Sequence, residues 1–311
     1  MTVRRGGSIV YDLIIIGSGP AGLSAAVYGM RAGLKLLVLE KNNMSGGQVL
    51  NTYEVDNYLG LPGINGFDLG MKFKEHAQKM GAEFVQTVVK AVRLKDTLKI
   101  VETADGGVYE AKALILAMGA APSLLNVPGE LEFKGKGVSY CATCDGAFFK
   151  GREVAVVGGG DVAVEDAIYL SRLCSKVHLI HRRDSLRAAK GLQEKLFACG
   201  NVEVHWNQTV SEICGSDLVD GVKLHSVENG ADSSLEVEGV FVAIGMHPNT
   251  EAIRELADCD AAGYLKAGED CATSVPGVFA AGDIRTKQMR QIVTAVADGA
   301  CAVAGVERYL S

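Results

Sequence analysis

Along the chain, short apolar runs alternate with stretches of helical period, in the order that builds parallel sheets. Residues 11–16 form a β-branched run of strand length, continuous enough for a strand buried on both faces. Gly17, Ser18, Gly19, Pro20, Ala21 and Gly22 follow at once, then a helix-like stretch over 23–32 that Gly33 ends. A second apolar run covers 35–39, with Glu40 at its end. Strand, glycine turn, helix, strand and acid make a βαβ unit. The order returns at 154–157, at Gly158, Gly159, Gly160, Asp161, Val162 and Ala163, in a helical stretch reaching 173, and at 177–180. From about 245 onward no third glycine turn occurs. There, residues 275–283 give a turn, a short strand and the pair Gly282 and Asp283, ahead of a helix over 291–310. The pattern predicts an α/β chain of two Rossmann-like, three-layer ββα nucleotide-binding domains. The first is split over 1–118 and 246–311, and the second, 119–245, is inserted into it.

Each glycine turn carries chemistry because of what it leaves bare. Without side chains, the backbone can turn tightly and approach a pyrophosphate, while the helix behind supplies unpaired N–H groups and positive potential. The spacing from Gly17 to Glu40 equals that from Gly158 to His181, so the two units share a geometry and differ at its last position. Glu40, with Lys41 beside it, offers a carboxylate to ribose hydroxyls. His181, Arg182, Arg183 and Arg187 offer cations instead, which suits a 2′-phosphate and favours NADPH over NADH. Asp283, at a strand end, is positioned to hold the ribitol of a flavin.

Composition narrows the class. The chain has 311 residues, 31 Lys and Arg against 37 Asp and Glu, a net charge of −6, 48% hydrophobic and 22% charged residues. That balance excludes a basic nucleic-acid binder and an intrinsically disordered chain. No stretch reaches membrane-spanning length. Arg4 and Arg5 form a twin-arginine pair, but the run behind them reads as a strand rather than a signal, so the expected location is the cytoplasm.

Eight cysteines stand at 141, 144, 174, 199, 214, 259, 271 and 301, and only the first two are closely spaced. Six scattered thiols read as small core residues. Cys141 and Cys144 have the spacing of a reversible disulfide, and Asp145 follows as a carboxyl able to move protons during dithiol chemistry. No second pair or nearby histidines complete a zinc site, so no metal is expected. His76, His178, His205 and His225 lie on helical or strand stretches without evident partners and read as packing or surface residues, as does Trp206. Tyr53 and Tyr58 read as packing anchors.

Together these motifs resemble the low-molecular-weight, bacterial-type thioredoxin reductases over nearly the full length. Further landmarks of that family are Gly46, Gly47 and Gln48, then Ala117, Met118 and Gly119, then Arg290 and Gln291. The resemblance implies FAD on the split domain, with Gly17, Gly19, Pro20, Ala21, Gly22, Glu40, Lys41, Gly47, Gln48, Asn57, Ala117, Gly119, Gly282, Asp283, Arg290 and Gln291 around it. It implies NADPH on the inserted domain, at Gly158, Gly160, Asp161, Ala163, His181, Arg182, Arg183 and Arg187. Cys144 becomes the sulfur next to the flavin, Cys141 the thiol that attacks thioredoxin, and Asp145 the acid and base. A homodimer is implied as well, with hinges near 119–122 and 245–247. Val162 departs from the family's usual Ser or Thr and removes one hydroxyl from the second turn. A same-fold enzyme acting on another disulfide, of a peroxiredoxin-type protein or a small dithiol, or one fed by ferredoxin, is the alternative.

Overall fold

The computed structural model describes residues 9–52, 55 and 57–311, so Arg4, Arg5 and Tyr53 lie outside the described residues. The first apolar run becomes β1 (Val10–Ile16), with Leu13, Ile14 and Ile15 wholly buried. α1 (Pro20–Arg31) starts earlier than its apolar pattern, because Pro20 suits a first helical position that needs no N–H. β2 (Leu36–Glu40) then runs parallel to β1, Leu13 opposite Leu36. α2 (Gly66–Lys79) is capped by Asn65, whose side chain accepts from the Phe67 N–H, and leads to β3 (Glu83–Gln86), parallel to β2. β4 (Val89–Lys95), β5 (Leu98–Thr103) and β6 (Val108–Leu116) form an antiparallel meander whose last strand lies parallel to β1.

The chain divides into two compact units, one ending at Ala121 and resuming at His247, the other Pro122–Met246 with Thr52–Asn57. The outgoing crossing forms β7 (Ala120–Pro122). The second unit contains β8 (Val138–Ser139), α3 (Ala142–Asp145), β9 (Glu153–Val157), α4 (Asp161–Ser171), β10 (Lys176–Ile180), α5 (Lys190–Phe197) and β11 (Val202–His205). An antiparallel trio follows, β12 (Gln208–Gly215), β13 (Val219–Ser226) and β14 (Asp232–Glu236), and β15 (Gly239–Val242) closes the unit. Its main sheet runs β11-β10-β9-β15-β8, all parallel. Alternation along β9 and β10 sends Val154, Val156, Val177 and Leu179 to one face, against Val164, Ala167 and Leu170 of α4. It sends Ala155, Val157 and Ile180 to the other, against Val210, Ile213, Val222 and Leu224 of the trio. That is a ββα sandwich.

β16 (Met246–Pro248) pairs with β7 as a two-stranded sheet, so both segments expected as hinges are extended strands. β17 (Val278–Ala280) completes the first unit's seven-stranded sheet by pairing parallel with β6, and α6 (Ile292–Leu310) covers it. One face of this sheet, with Leu13, Ile15, Val38 and Ile115, packs on Leu23 and Ala26 of α1 and Ala302 and Val306 of α6. The other face, with Ile14, Leu37, Leu114 and Leu116, packs on Ile253, Ala257 and Leu265.

α1 and α6 meet backbone to backbone. The Ser24 hydroxyl donates to the Val296 carbonyl at 2.7 Å, and a Cβ on Gly299 would stand 2.3 Å from the Ala21 carbonyl oxygen and 2.8 Å from the Ala25 nitrogen. Neither obstacle is a side chain that can swing away. Gly299→Ala is therefore expected to destabilise the protein by about 1–3 kcal/mol, the usual range for overpacking, as a lower urea midpoint followed by circular dichroism; an unchanged midpoint would show that the helices part freely.

Candidate functional site

In the first unit, the residues singled out from sequence gather at the carboxyl ends of β1, β2, β6 and β17. The turn after β1 admits no side chain: Gly17 has φ +101°, its Cβ would meet the Ala117 carbonyl oxygen at 2.4 Å, and one on Gly22 would meet the Gly17 carbonyl oxygen at 1.9 Å. Above Gly19, by contrast, only the Gly47 Cα comes within 4 Å. That open space sits at the N-cap of α1, facing N–H groups no side chain caps. Gly47 is held there through its neighbour, since the Gly46 N–H donates to the Ser18 carbonyl at 2.8 Å. Glu40 accepts from the Ser18 N–H at 2.8 Å and hydroxyl at 2.7 Å and from the Asn42 N–H at 2.8 Å. Its carboxylate is thus fixed, with lone pairs left for a further donor. Lys41 is exposed beside it.

Gly282 packs against Ala21, its Cβ position 2.9 Å from the alanine methyl, which brings Asp283 to the same turn. The loop is pinned by Asp298, which accepts from the Gly282 N–H, from Arg285 Nε and Nη2 and from Lys287 Nζ, all at 2.7–2.9 Å. Burial alone would raise the Asp298 pKa, but these donors outweigh it and hold the carboxyl below its ordinary range. Asp283 is the reverse case. Burial pushes its pKa up, against the pull of Lys287 and Arg290, and its Oδ1 has no hydrogen-bond partner. Arg290, stacked 4.1 Å from the Tyr264 ring centroid, has an equally unpartnered buried Nε. A buried acceptor and donor left open beside a bare glycine turn fit a polyhydroxylated dinucleotide.

The remaining candidates stand further apart. Gln48 donates through Nε2 to the Ala120 carbonyl, Gly119 accepts from the Asn249 N–H at 3.0 Å, and the Gln291 N–H donates to the Thr294 hydroxyl at the start of α6. Asn57 is exposed and belongs to the segment that groups with the second unit.

The second turn repeats the design with cations in place of the acid. Nothing lies within 4 Å of a Cβ on Gly160, at the N-cap of α4. Gly158 stands against Ala163 and the Ala243 carbonyl. Asp161 does not point to open space; its carboxylate accepts from the Ala189 N–H at 2.7 Å and holds the loop after β10. His181 is 5% exposed, its ring against Gly159 and its Nε2 3.1 Å from the Ser185 carbonyl. Burial first, then Arg187, Arg183 and Arg182, lower its pKa, so the imidazole shapes the loop as a neutral ring. The charge comes from Arg182, Arg183 and Arg187, all exposed and forming no ion pair among the described residues. Val162 is 61% exposed on the first turn of α4.

Cys141 and Cys144 are joined as a disulfide at the start of α3, both half-buried. The sequence reading missed Ser139. Buried in β8, its hydroxyl accepts from the Cys141 N–H at 3.1 Å and donates to Asp145 Oδ2 at 2.6 Å, tying the disulfide to its carboxyl. Only its place two residues before the cysteines hinted at this. Burial raises the Asp145 pKa, partly offset by Ser139, and Oδ1 is unpartnered. The histidine reading needs correcting too. His178 Nδ1 lies 2.9 Å from His205 Nε2, and His225 pairs with Asp232 at 2.8 Å. Partners supplied by neighbouring strands are invisible along the chain. His76 is exposed, Trp206 meets His181 edge to face, and Tyr58 meets Phe73 likewise.

A family model described as pyridine nucleotide-disulphide oxidoreductase matches residues 11–299. Proteins named thioredoxin reductase from Listeria monocytogenes and Bacillus subtilis are each 47% identical over 302 residues, covering 97% of this chain and 94% and 95% of theirs. The crystal structure of thioredoxin reductase from Streptococcus pyogenes superimposes with a TM-score of 0.91 at 44% identity, covering 97% of this chain and 98% of that one.

The raised Asp145 pKa fixes the sign of a stability effect. In acid the carboxyl is protonated both folded and unfolded, and the fold bears no charge penalty. As pH rises through the raised value, the native state must hold a charge that burial disfavours, so stability is lost. Asp145→Asn is expected to melt higher than the parent near neutral pH, with the gap closing in acid; melting curves across pH check this, and a lower neutral midpoint would contradict it.

Proposed function

The chain belongs to the pyridine nucleotide-disulphide oxidoreductase family, and on that premise we propose that it works as an NADPH-dependent thioredoxin reductase. The observation that carries this is the Cys141 and Cys144 disulfide, tied through Ser139 to a half-buried carboxyl, in a chain with two dinucleotide turns. The first unit holds FAD. Gly17, Gly19, Pro20, Ala21 and Gly22 receive its pyrophosphate, Glu40 and Lys41 its ribose, Gly47, Gln48, Asn57, Ala117 and Gly119 line it, and Asp283, Arg290 and Gln291 serve its remaining polar groups. The second holds NADPH, with Gly158, Gly160 and Ala163 under the pyrophosphate, Asp161 and His181 shaping the loop, and Arg182, Arg183 and Arg187 on the 2′-phosphate. When bound, the nicotinamide supplies a hydride and the flavin conveys its electron pair to the disulfide.

The chain's own part is thiol and proton chemistry. Two electrons break the Cys141 to Cys144 bond, and Asp145 gives a proton to one of the two thiolates formed. The Cys141 thiolate attacks a thioredoxin sulfur, forming a mixed disulfide and expelling the second thioredoxin sulfur as a thiolate. Cys144, returning its proton to Asp145, then attacks Cys141 Sγ as a thiolate, restoring the disulfide and releasing thioredoxin, whose two thiolates take up protons to become the dithiol. Ser139 keeps Asp145 aimed throughout. The same reading makes the enzyme a cytoplasmic homodimer; among the described residues no helix is long and apolar enough to cross a membrane.

Two experiments test this. Without oxygen, NADPH is expected to bleach the protein's flavin absorbance far faster than NADH. Replacing Arg182, Arg183 and Arg187 by Gln is expected to cut that preference about tenfold or more, since each lost charge-assisted bond costs about 1.5–3 kcal/mol. Cys141→Ser and Cys144→Ser should still bleach yet leave thioredoxin oxidised; bleaching by neither nicotinamide would overturn the donor assignment. Ser139→Ala removes a bond that favours the ionised Asp145 carboxyl, so the alkaline limb of the pH profile for thioredoxin reduction, where Asp145 must still carry its proton, is expected to move to higher pH. An unmoved limb would detach Ser139 from the proton path.

A further inference from the structure

One polar cluster of the second unit takes no part in either nucleotide turn or in the disulfide. The parallel register sets His178 opposite Glu203, and Ile180 opposite His205. Side chains alternate, so His178, Glu203 and His205 leave the sheet on one face, away from the one packed on α4. Glu153 and Lys176, opposite one another on β9 and β10, flank them on that face. His178 is 2% exposed and His205 19%.

Three potential ligand groups converge there. His178 Nδ1 and His205 Nε2 are 2.9 Å apart, Glu203 Oε2 lies 3.9 Å from the first and Glu203 Oε1 3.8 Å from the second, and one ligand atom from each residue lies within 4.8 Å of the other two. Donors held about 2.0–2.1 Å from a tetrahedral zinc stand about 3.3 Å apart; the two nitrogens are slightly closer than that and the Glu203 oxygens slightly farther, so a small rotation of the exposed Glu203 side chain brings one oxygen and both nitrogens around an ion. The outer shell is present as well. Glu153 Oε2 lies 3.2 Å from His178 Nε2, and a carboxylate there accepts a hydrogen bond from the Nε2–H, which leaves the Nδ1 lone pair facing His205 and Glu203, the arrangement that orients metal-bound histidines. Lys176 Nζ bonds Glu203 Oε2 at 2.7 Å, leaving Oε1 on the side of His205. With neutral imidazoles the five side chains sum to one negative charge, which favours a cation. A surface recess lined by Glu153, Ser175, Lys176, Asn201 and Glu203 opens on the Glu203 side of the cluster.

We infer that His178, His205 and Glu203 form a binding site for a divalent transition-metal ion of the zinc class. The ion bridges β10 to the edge strand β11. It also braces the arginine loop, because the His181 N–H donates to the His205 carbonyl at 3.0 Å and the Asn207 N–H to the Arg183 carbonyl at 3.2 Å. The site itself does not depend on the nucleotide reading.

The test uses tag-free, chelator-treated holoenzyme, kept oxidised so that Cys141 and Cys144 stay paired, with the free thiols alkylated. Zinc chloride is titrated calorimetrically and by thermal melting, beside His205→Gln and Glu203→Gln, two side chains at the accessible edge of the cluster. The expected result is about one equivalent bound with a rise in melting midpoint, and binding at least tenfold weaker in either variant that folds with its flavin spectrum unchanged. Binding of equal strength in the variants, or none by the parent at millimolar zinc, overturns the inference and leaves the two histidines as a hydrogen-bonded pair.

Discussion

A turn with no room for a side chain governs the first unit. Between Gly17 and Gly22 the backbone folds so closely on itself and on Ala117 that every surrounding piece has its position set by the contact. α1 can start at Pro20 only because the turn ends there, Ser18 can reach Glu40, and Gly47 can rest on Gly19. Removing bulk at one corner creates both the tight joint and the open space beside Gly19 that a pyrophosphate needs. The second unit obeys the same rule, with the neutral His181 ring occupying the space over Gly159.

Charge is distributed according to whether it is meant to stay satisfied. Asp298 is saturated by Arg285, Lys287 and the Gly282 N–H, and so acts as a fixed post for the loop. Next to Gly282, Asp283 keeps one buried oxygen unused, as does Asp145 beside the disulfide. Buried acceptors are normally paired; among the described residues Gln208 Oε1 is also unpartnered, but the two carboxylates are the ones that lie beside a glycine turn and a disulfide, where something outside the polypeptide or a travelling proton can be received. Arg182, Arg183 and Arg187 are the surface counterpart, three exposed cations that form no ion pair among the described residues.

Much of this could be read from the sequence because it is local. A strand, a glycine turn, a helix start and a terminal acid are consecutive along the chain, and the contrast between Glu40 and the run from His181 to Arg187 needs no folding to be seen. The cysteine pair was equally plain. What could not be read depends on strand neighbours: Ser139 meets Asp145 only when the chain doubles back into α3, and His178 meets His205 only through the β10 and β11 register. That Asp161 and His181 both bond the backbone of the loop after β10 is likewise invisible along the chain. The start of α1 is not marked by the apolar period, which begins at Leu23, after Pro20, Ala21 and Gly22 that already lie inside the helix.

The split of the first unit has a bearing on how the protein is made. Everything the second unit needs is synthesised by Met246, whereas the first lacks β17 and α6 until the last residues appear. At about 5–20 residues per second, synthesis of the final stretch takes on the order of several seconds. During that interval the inserted unit can complete its own sheet, while Ala21, Ala25 and the exposed edge of β6 await their cover. The order of completion on the ribosome is thus the reverse of the order of initiation, and the emerging half-sheet is the part of the nascent chain most in need of shielding from other chains.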